Sequence, residues 1–154
     1  MNWKKWMLMI VVITLVAIQF IQPAHNKSPQ VLATDVTKIY GVPDSVQQIL
    51  QNACYDCHSN NTQYPWYANI QPVGWMLSNH VVNGKKNLNF SELGKYSTRK
   101  QANKFRAIGE SITEGTMPIS SYTLMHKNAR LTDKQKKLIS SWTQIIRDSL
   151  MAKH

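Results

Sequence analysis

The sequence predicts an all-α protein in which one small domain follows an apolar N-terminal helix, and three observations lead to this fold class. The 154 residues suffice for one domain and an appendage but not for several domains. Apolar residues recur at helical spacing in several stretches, whereas none alternates with period two for long enough to indicate a sheet. No residue type dominates a long stretch, which excludes collagen-like and low-complexity chains.

Residues 1–22 form the predicted membrane segment. An uncharged, apolar run over residues 7–21 follows Lys4 and Lys5. Its length lies between that of the apolar region of a cleavable signal peptide and that of a helix that crosses roughly 30 Å of hydrocarbon. Small residues suited to cleavage do not follow closely, which favours an uncleaved signal anchor over a cleaved signal peptide. The paired lysines favour a cytoplasmic N-terminus. The domain is therefore expected in the bacterial periplasm, anchored to the inner membrane or, after cleavage, free.

A polar segment with two prolines over residues 23–42 predicts a linker, and the domain is expected over residues 43–150. Four helices are predicted in the domain: one behind Pro43 that leads into Cys54, one that opens at Pro72 and ends at Gly84, one over Thr98–Glu114, and one that begins at Thr132 with a capping box to Gln135. The segments between them are predicted to be irregular.

The strongest chemical signal is a pair of cysteines, Cys54 and Cys57, followed at once by His58. This is the attachment pattern of c-type haem, because two thiols at this spacing can add across the two vinyl groups while the adjacent imidazole reaches the iron. A zinc site would need a second pair of ligands, and a thioredoxin-like pair would need alternating strands and helices. A plain disulfide is compatible with export but leaves His58 unexplained. The pattern favours one covalently attached haem c, with His58 as the proximal iron ligand.

Two residues compete for the second axial position on the iron. Met117 lies in a short loop outside the helices, and its soft sulfur would raise the reduction potential relative to a second imidazole. The alternative is that Met117 fills the core, as most methionines do. His80 is the rival ligand, because an unpartnered imidazole on the apolar face of the second helix would be costly. His126, in a polar stretch, is a weaker candidate.

These motifs resemble a small class I cytochrome c and, more closely, the bacterial single-haem "haem-binding domain" family. The resemblance covers roughly residues 47–146 and includes Cys54, Cys57 and His58, Tyr64-Pro65-Trp66-Tyr67, Pro72, Trp75, His80-Val81, Gly84-Lys85, Leu88-Asn89-Phe90-Ser91, Met117-Pro118, Tyr122, His126 and Leu131-Thr132. It implies a cytochrome c-like helical domain around one haem, with thioether bonds at both cysteines and Met117 as the distal ligand. Because the family's pattern contains His80 as well, both distal ligands stay open.

An iron with two protein ligands changes its redox state with little rearrangement but does not readily bind a substrate, so an electron carrier rather than an enzyme is expected. The net charge of +10 suits acidic redox partners, and the candidate basic surface comprises Lys85, Lys86, Lys95, Arg99, Lys100, Lys104, Lys134, Lys136 and Lys137. The same residues can instead be solvated helix faces. Export argues against nucleic acid as the partner. The alternative function is a haem-based sensor or peroxidase-like enzyme with an open distal site.

Overall fold

Helices and loops make up the described chain, which comprises residues 2–28 and 30–152 of a computed structural model. The α-helices are α1 (Trp3–Ala17), α2 (Val36–Ile39), α3 (Asp44–Ala53), α4 (Tyr55–His58), α5 (Val73–Asn87), α6 (Thr98–Glu114), α7 (Ser120–Met125) and α8 (Asp133–Met151). Short 3-10 segments cover Ile18–Phe20, Trp66–Asn69, Phe90–Lys95 and Lys127–Ala129. No strand occurs in these residues, so the all-α prediction is confirmed.

The N-terminal helix lies outside the core. Together with its 3-10 extension it forms an 18-residue span, Trp3–Phe20, with a mean hydropathy of 1.6 and no buried residue. Its length and composition suffice to cross a membrane, although a signal sequence near an N-terminus meets the same description. The predicted apolar helix is confirmed, and its retention in the mature protein stays a prediction.

The core is built around α6 and α8, which pack against each other along their length. Phe105 is fully buried between Tyr40 and Trp142, and its ring stands edge-on to both at 5.1 and 5.4 Å between centroids. The structure confirms the predicted bounds of α6, and Gly115, which follows its last residue, adopts the left-handed conformation that ends the helix. It also confirms the capping box at the start of α8.

The structure differs from the sequence-based expectations in three places. The helix predicted to end at Gly84 continues to Asn87, since this glycine serves a close helix contact described below. A short helix, α7, occupies part of a segment expected to be irregular. Within residues 23–42, predicted as a linker, Val36 lies in α2 and is fully buried in the core. Tyr40 and Val42 of the same segment also pack against the core, although the segment has no helical periodicity that the sequence could reveal.

Candidate haem-attachment site

The two cysteines and the histidine lie on one tight turn, residues 54–58, which we call the attachment turn. Helix α3 leads into it, and the buried residues Val46, Ile49 and Leu50 hold that helix in the core. At Cys54 the backbone departs from helical values (φ −126°, ψ −42°), and α4 starts afresh at the next residue. The amide groups of Cys57 and His58 both donate to the Cys54 carbonyl, at 3.2 and 3.0 Å. The chain therefore changes direction at Cys54 and presents all three residues within one helical turn.

Both cysteines are half-buried free thiols. Burial, reinforced by the negative charge of a Cys57 thiolate, raises the pKa of Cys54 to about 12. Burial and the neighbouring Asp56 raise the pKa of Cys57 to about 11. Both groups are consequently protonated at neutral pH in the haem-free chain.

The ring of His58 is held in one tautomer by main-chain carbonyls. Its Nδ1 lies 2.9 Å from the Gly84 oxygen and 3.1 Å from the Leu88 oxygen. Because carbonyl oxygens only accept, Nδ1 carries the hydrogen and Nε2 has the free lone pair. No group in the described part of the chain bonds to Nε2, and this atom is not sealed from solvent. Burial lowers the pKa of His58 against the opposing effect of both carbonyl bonds. A neutral imidazole oriented through Nδ1 is the form in which histidine binds metals.

Gly84 allows α5 to approach the attachment turn closely. A Cβ atom at this position would lie 2.5 Å from the Cys57 carbonyl oxygen and 3.1 Å from the Cys57 Cβ. The absence of a side chain therefore brings the Gly84 carbonyl within reach of His58. Sequence reasoning assigned this glycine to a helix end and missed the contact, which depends on residues far apart in the chain.

Asp56, between the two cysteines, ties the attachment turn to two other segments. Its Oδ1 accepts from the Gln63 amide at 2.9 Å, and its Oδ2 accepts from the Tyr122 hydroxyl at 2.7 Å. Its main-chain oxygen accepts from the Thr62 hydroxyl at 2.6 Å. Burial and the Asp56 carboxylate raise the pKa of Tyr122, which therefore stays a hydrogen-bond donor. This residue was also missed, and its position inside the motif is the only sequence signal that singles it out.

The three candidates for the distal position differ in their surroundings. Met117 follows α6 in a loop and is 39% exposed, so it does not belong to the buried core. His80 is half-buried on α5, one turn before Gly84. His126 stacks on Tyr122 at 4.2 Å between ring centroids. Both of its nitrogens have partners, since Nδ1 donates to the Tyr122 carbonyl at 3.2 Å and Nε2 accepts from the Tyr67 hydroxyl at 3.4 Å.

A depression of about 880 Å³ opens beside the attachment turn, with Tyr55, Asp56 and Tyr122 among its lining residues. Neither cysteine nor His58 lines it, and its walls carry mainly amide and hydroxyl side chains. A porphyrin needs an apolar setting within reach of the thiols. The depression is therefore not where the candidate haem ligands converge.

Comparison with known proteins agrees with the chemistry of the attachment turn. The model of a family described as haem-binding domain matches residues 13–145, which span most of the chain. The matched region begins within α1 and ends within α8, so it includes the attachment turn and all three distal candidates. No curated protein and no solved structure matches the chain.

Proposed function

The chain belongs to the haem-binding domain family, and from this premise we propose that it is a membrane-tethered electron-transfer protein carrying one covalently attached haem c. The observation that carries the proposal is the state of His58. Two carbonyls hold its Nδ1–H, and its Nε2 lone pair remains free on the same turn as two protonated thiols. These are the three groups that c-type attachment requires.

Each residue of the attachment turn has a defined task in this proposal. The thiols of Cys54 and Cys57 each add across one vinyl group, so that a carbon–sulfur bond forms and the thiol proton moves to the neighbouring vinyl carbon. The S–H bond and the π bond of the vinyl group break as the new carbon–sulfur and carbon–hydrogen bonds form, so the addition needs no external oxidant. His58 binds the iron through Nε2, and the carbonyls of Gly84 and Leu88 fix its ring orientation. The bound haem supplies a reversible one-electron couple.

We propose Met117 as the distal ligand, and the direction of the His58 ring supports this choice. The Nδ1 side of the ring faces α5 through Gly84, so Nε2 faces away from that helix. His80 lies on α5 itself, the helix from which the Nε2 of His58 turns away, whereas Met117 lies outside that helix. The loop with Met117 runs into α7, whose Tyr122 bonds to the attachment turn through Asp56. A thioether in this position would favour the reduced state relative to a second imidazole.

Covalent attachment is tested by mass spectrometry and a pyridine haemochrome spectrum of protein matured in a host that makes c-type cytochromes. We expect the polypeptide mass plus one haem, with the spectrum of a porphyrin whose vinyl groups are both saturated. Replacing both Cys54 and Cys57 by alanine should leave haem that organic solvent extracts. The bare polypeptide mass in the unaltered protein would refute covalent attachment.

Distal ligation is tested with three variants: Met117→Ala, His80→Ala and, as a control, Met125→Ala, which removes another exposed methionine. Only Met117→Ala should abolish the sulfur-to-iron charge-transfer band of the oxidised protein and allow rapid carbon monoxide binding to the reduced protein. A bis-imidazole spectrum in the unaltered protein that is lost in His80→Ala would refute Met117 as the ligand.

A sensor or peroxidase-like enzyme is the second candidate function, and the exposure of Met117 favours it. A ligand that is 39% exposed in a loop can leave the iron without disturbing the core. A five-coordinate spectrum and rapid carbon monoxide binding in the unaltered protein would support this alternative. Slow or absent binding would support the electron carrier.

We propose acidic redox proteins as partners and a periplasmic location for the domain. Cationic side chains cluster at the start of α6, with Arg99, Lys100 and Lys104, and at the start of α8, with Lys134, Lys136 and Lys137. Because Gly109 lies against Thr143 and Thr113 against Ser140, the two helices run antiparallel and the two clusters lie at opposite ends of the pair. Either cluster would accelerate encounter with an acidic partner at low ionic strength. A reduction rate independent of salt would contradict the partner proposal. Digestion of the domain by protease added to intact cells with a permeabilised outer membrane tests the location.

A further inference from the structure

We propose that the domain rests on the surface of the bilayer crossed by α1, through four exposed apolar residues, Trp66, Ile70, Val73 and Met76. We call these residues the membrane-facing surface. The inference rests on the proposed membrane tethering, and it adds an orientation that tethering alone does not provide.

The first support is a polar joint that fixes the domain to the end of the apolar span. The Gln71 amide donates to Gln19 Oε1 at 2.9 Å, and Gln19 Nε2 donates to the Gln71 carbonyl at 3.2 Å. The buried Gln71 side chain donates to Gln22 Oε1 at 2.9 Å, and Trp75 Nε1 donates to the Ile21 carbonyl at 2.8 Å. The domain is therefore attached directly to the helix end rather than suspended on a free linker.

The length of the span sets the height of this joint relative to the membrane. Eighteen residues, Trp3–Phe20, at about 1.5 Å each extend about 27 Å, close to the roughly 30 Å thickness of the hydrocarbon. The end of the span, with Gln19 and Ile21, consequently lies at the boundary between hydrocarbon and headgroups. Gln71 must lie at the same depth because it is bonded to Gln19.

The second support is the chemistry of the residues that flank Gln71. Trp66 is 76% exposed and Met76 is 54% exposed, with Ile70 and Val73 between them in the chain. Residues 57–84 contain no Asp, Glu, Lys or Arg, although such residues make up 17% of the chain. An uncharged, exposed apolar surface is unusual on a domain bathed in water. It suits the membrane interface, where tryptophan is enriched.

Continuity with α1 identifies the occupant of this surface as lipid. Residues 6–26 also lack Asp, Glu, Lys and Arg, so an uncharged stretch of chain lies on both sides of the joint. The hydrogen bonds of Gln71 join the two uncharged stretches directly. Lipid that surrounds the end of α1 would therefore contact the membrane-facing surface without any further movement of the domain.

Hydroxyl-radical oxidation of the full-length, haem-loaded protein in nanodiscs of phosphatidylcholine and phosphatidylglycerol tests this inference. Met76 and Met151 are matched probes, since they are 54% and 58% exposed in the protein. Met151 ends α8, which packs on α6 and α3, away from the membrane-facing surface. If lipid covers Met76, its oxidation should be several-fold slower than that of Met151.

A pair of variants controls for indirect effects. Ile70→Asp places a charge in the membrane-facing surface and should bring the oxidation of Met76 close to that of Met151. Ile145→Asp changes an exposed isoleucine of α8 and should leave the protection of Met76 intact. An unaltered haem spectrum verifies that each variant is folded.

The two proposals fail in distinguishable ways. Equal oxidation of Met76 and Met151 in protein that remains in the discs would overturn the membrane-facing surface and leave the tether standing. Protein that separates from the discs in size-exclusion chromatography would overturn the tether, and the membrane-facing surface with it.

Discussion

Gly84→Ala tests whether the close approach of α5 organises the attachment turn. The added Cβ would lie 2.5 Å from the Cys57 carbonyl oxygen, a main-chain atom that cannot rotate away. Restoring an ordinary contact of about 3.5 Å requires α5 to shift by about 1 Å. A shift of this size would lengthen the His58 Nδ1 to Gly84 hydrogen bond from 2.9 Å beyond the usual limit.

The expected loss of stability is the sum of two destabilising contributions and one stabilising contribution. Overpacking costs about 1–3 kcal/mol, and weakening one hydrogen bond costs about 1 kcal/mol. Alanine in place of glycine within a helix returns about 1 kcal/mol. We therefore expect the free energy of unfolding to fall by about 2 kcal/mol, as measured by urea denaturation of the haem-loaded protein. The reduction potential should rise as well, because a less strongly bonded Nδ1–H makes His58 a weaker donor to the oxidised iron.

Gly109→Ala is the matched control. Gly109 also lies inside a helix, but an added Cβ would meet only the Thr143 hydroxyl oxygen, at 3.0 Å. Thr143 is buried and its hydroxyl donates to the Ser140 carbonyl at 2.9 Å, so the strain of this contact opposes the gain of about 1 kcal/mol from helix propensity. This variant should therefore keep its potential, and its free energy of unfolding should change by less than about 1 kcal/mol. Equal stability and equal potential in the Gly84 and Gly109 variants would refute the reasoning.

Two further predictions concern the attachment turn. Asp56→Asn cannot accept hydrogen bonds at both side-chain atoms, so its free energy of unfolding in urea denaturation should fall by about 1–3 kcal/mol. The exposed Asp44→Asn is the control and should lose at most about 1 kcal/mol. Equal losses in the two variants would contradict the role of Asp56. In the haem-free chain burial raises the pKa of both thiols above their ordinary value, to about 11 for Cys57 and about 12 for Cys54. The unfolded chain therefore loses thiol protons first, and the free energy of unfolding should fall between pH 9 and 11 by at most about 1.4 kcal/mol per pH unit for each thiol. A variant with alanine at both cysteines separates this slope from tyrosine ionisation, and an unchanged slope in that variant would argue against buried thiols.

The long helices could be predicted because their signals are local. The buried stripe of α6 and the glycine that ends it lie within one short stretch of sequence. The capping box of α8 likewise involves residues only three positions apart, Thr132 and Gln135. Helices α2 and α7 are too short to display a periodic apolar face, so the sequence contained no comparable signal for them.

The residues of the candidate site also fall into two groups, those that the sequence displays and those whose roles appear only in the fold. The cysteines and His58 form a contiguous motif, which the sequence displays directly. The roles of Gly84 and Asp56 arise from contacts with residues distant in the chain, and no local pattern encodes them. The N-terminal segment gives another example, since Asn26 bonds to Ser59, Thr62 and Tyr64 although its own surroundings look like those of a linker.

If haem is attached covalently, as proposed, the bonds made by Asp56 would impose an order of events on maturation. In the folded chain this residue joins the attachment turn to Gln63 and Tyr122, and both neighbouring thiols are half-buried. Under the covalent proposal, the machinery that delivers haem must reach the thiols before those bonds close. Attachment would then fall in the interval before folding is complete, and a chain that folds too early would be trapped without its cofactor.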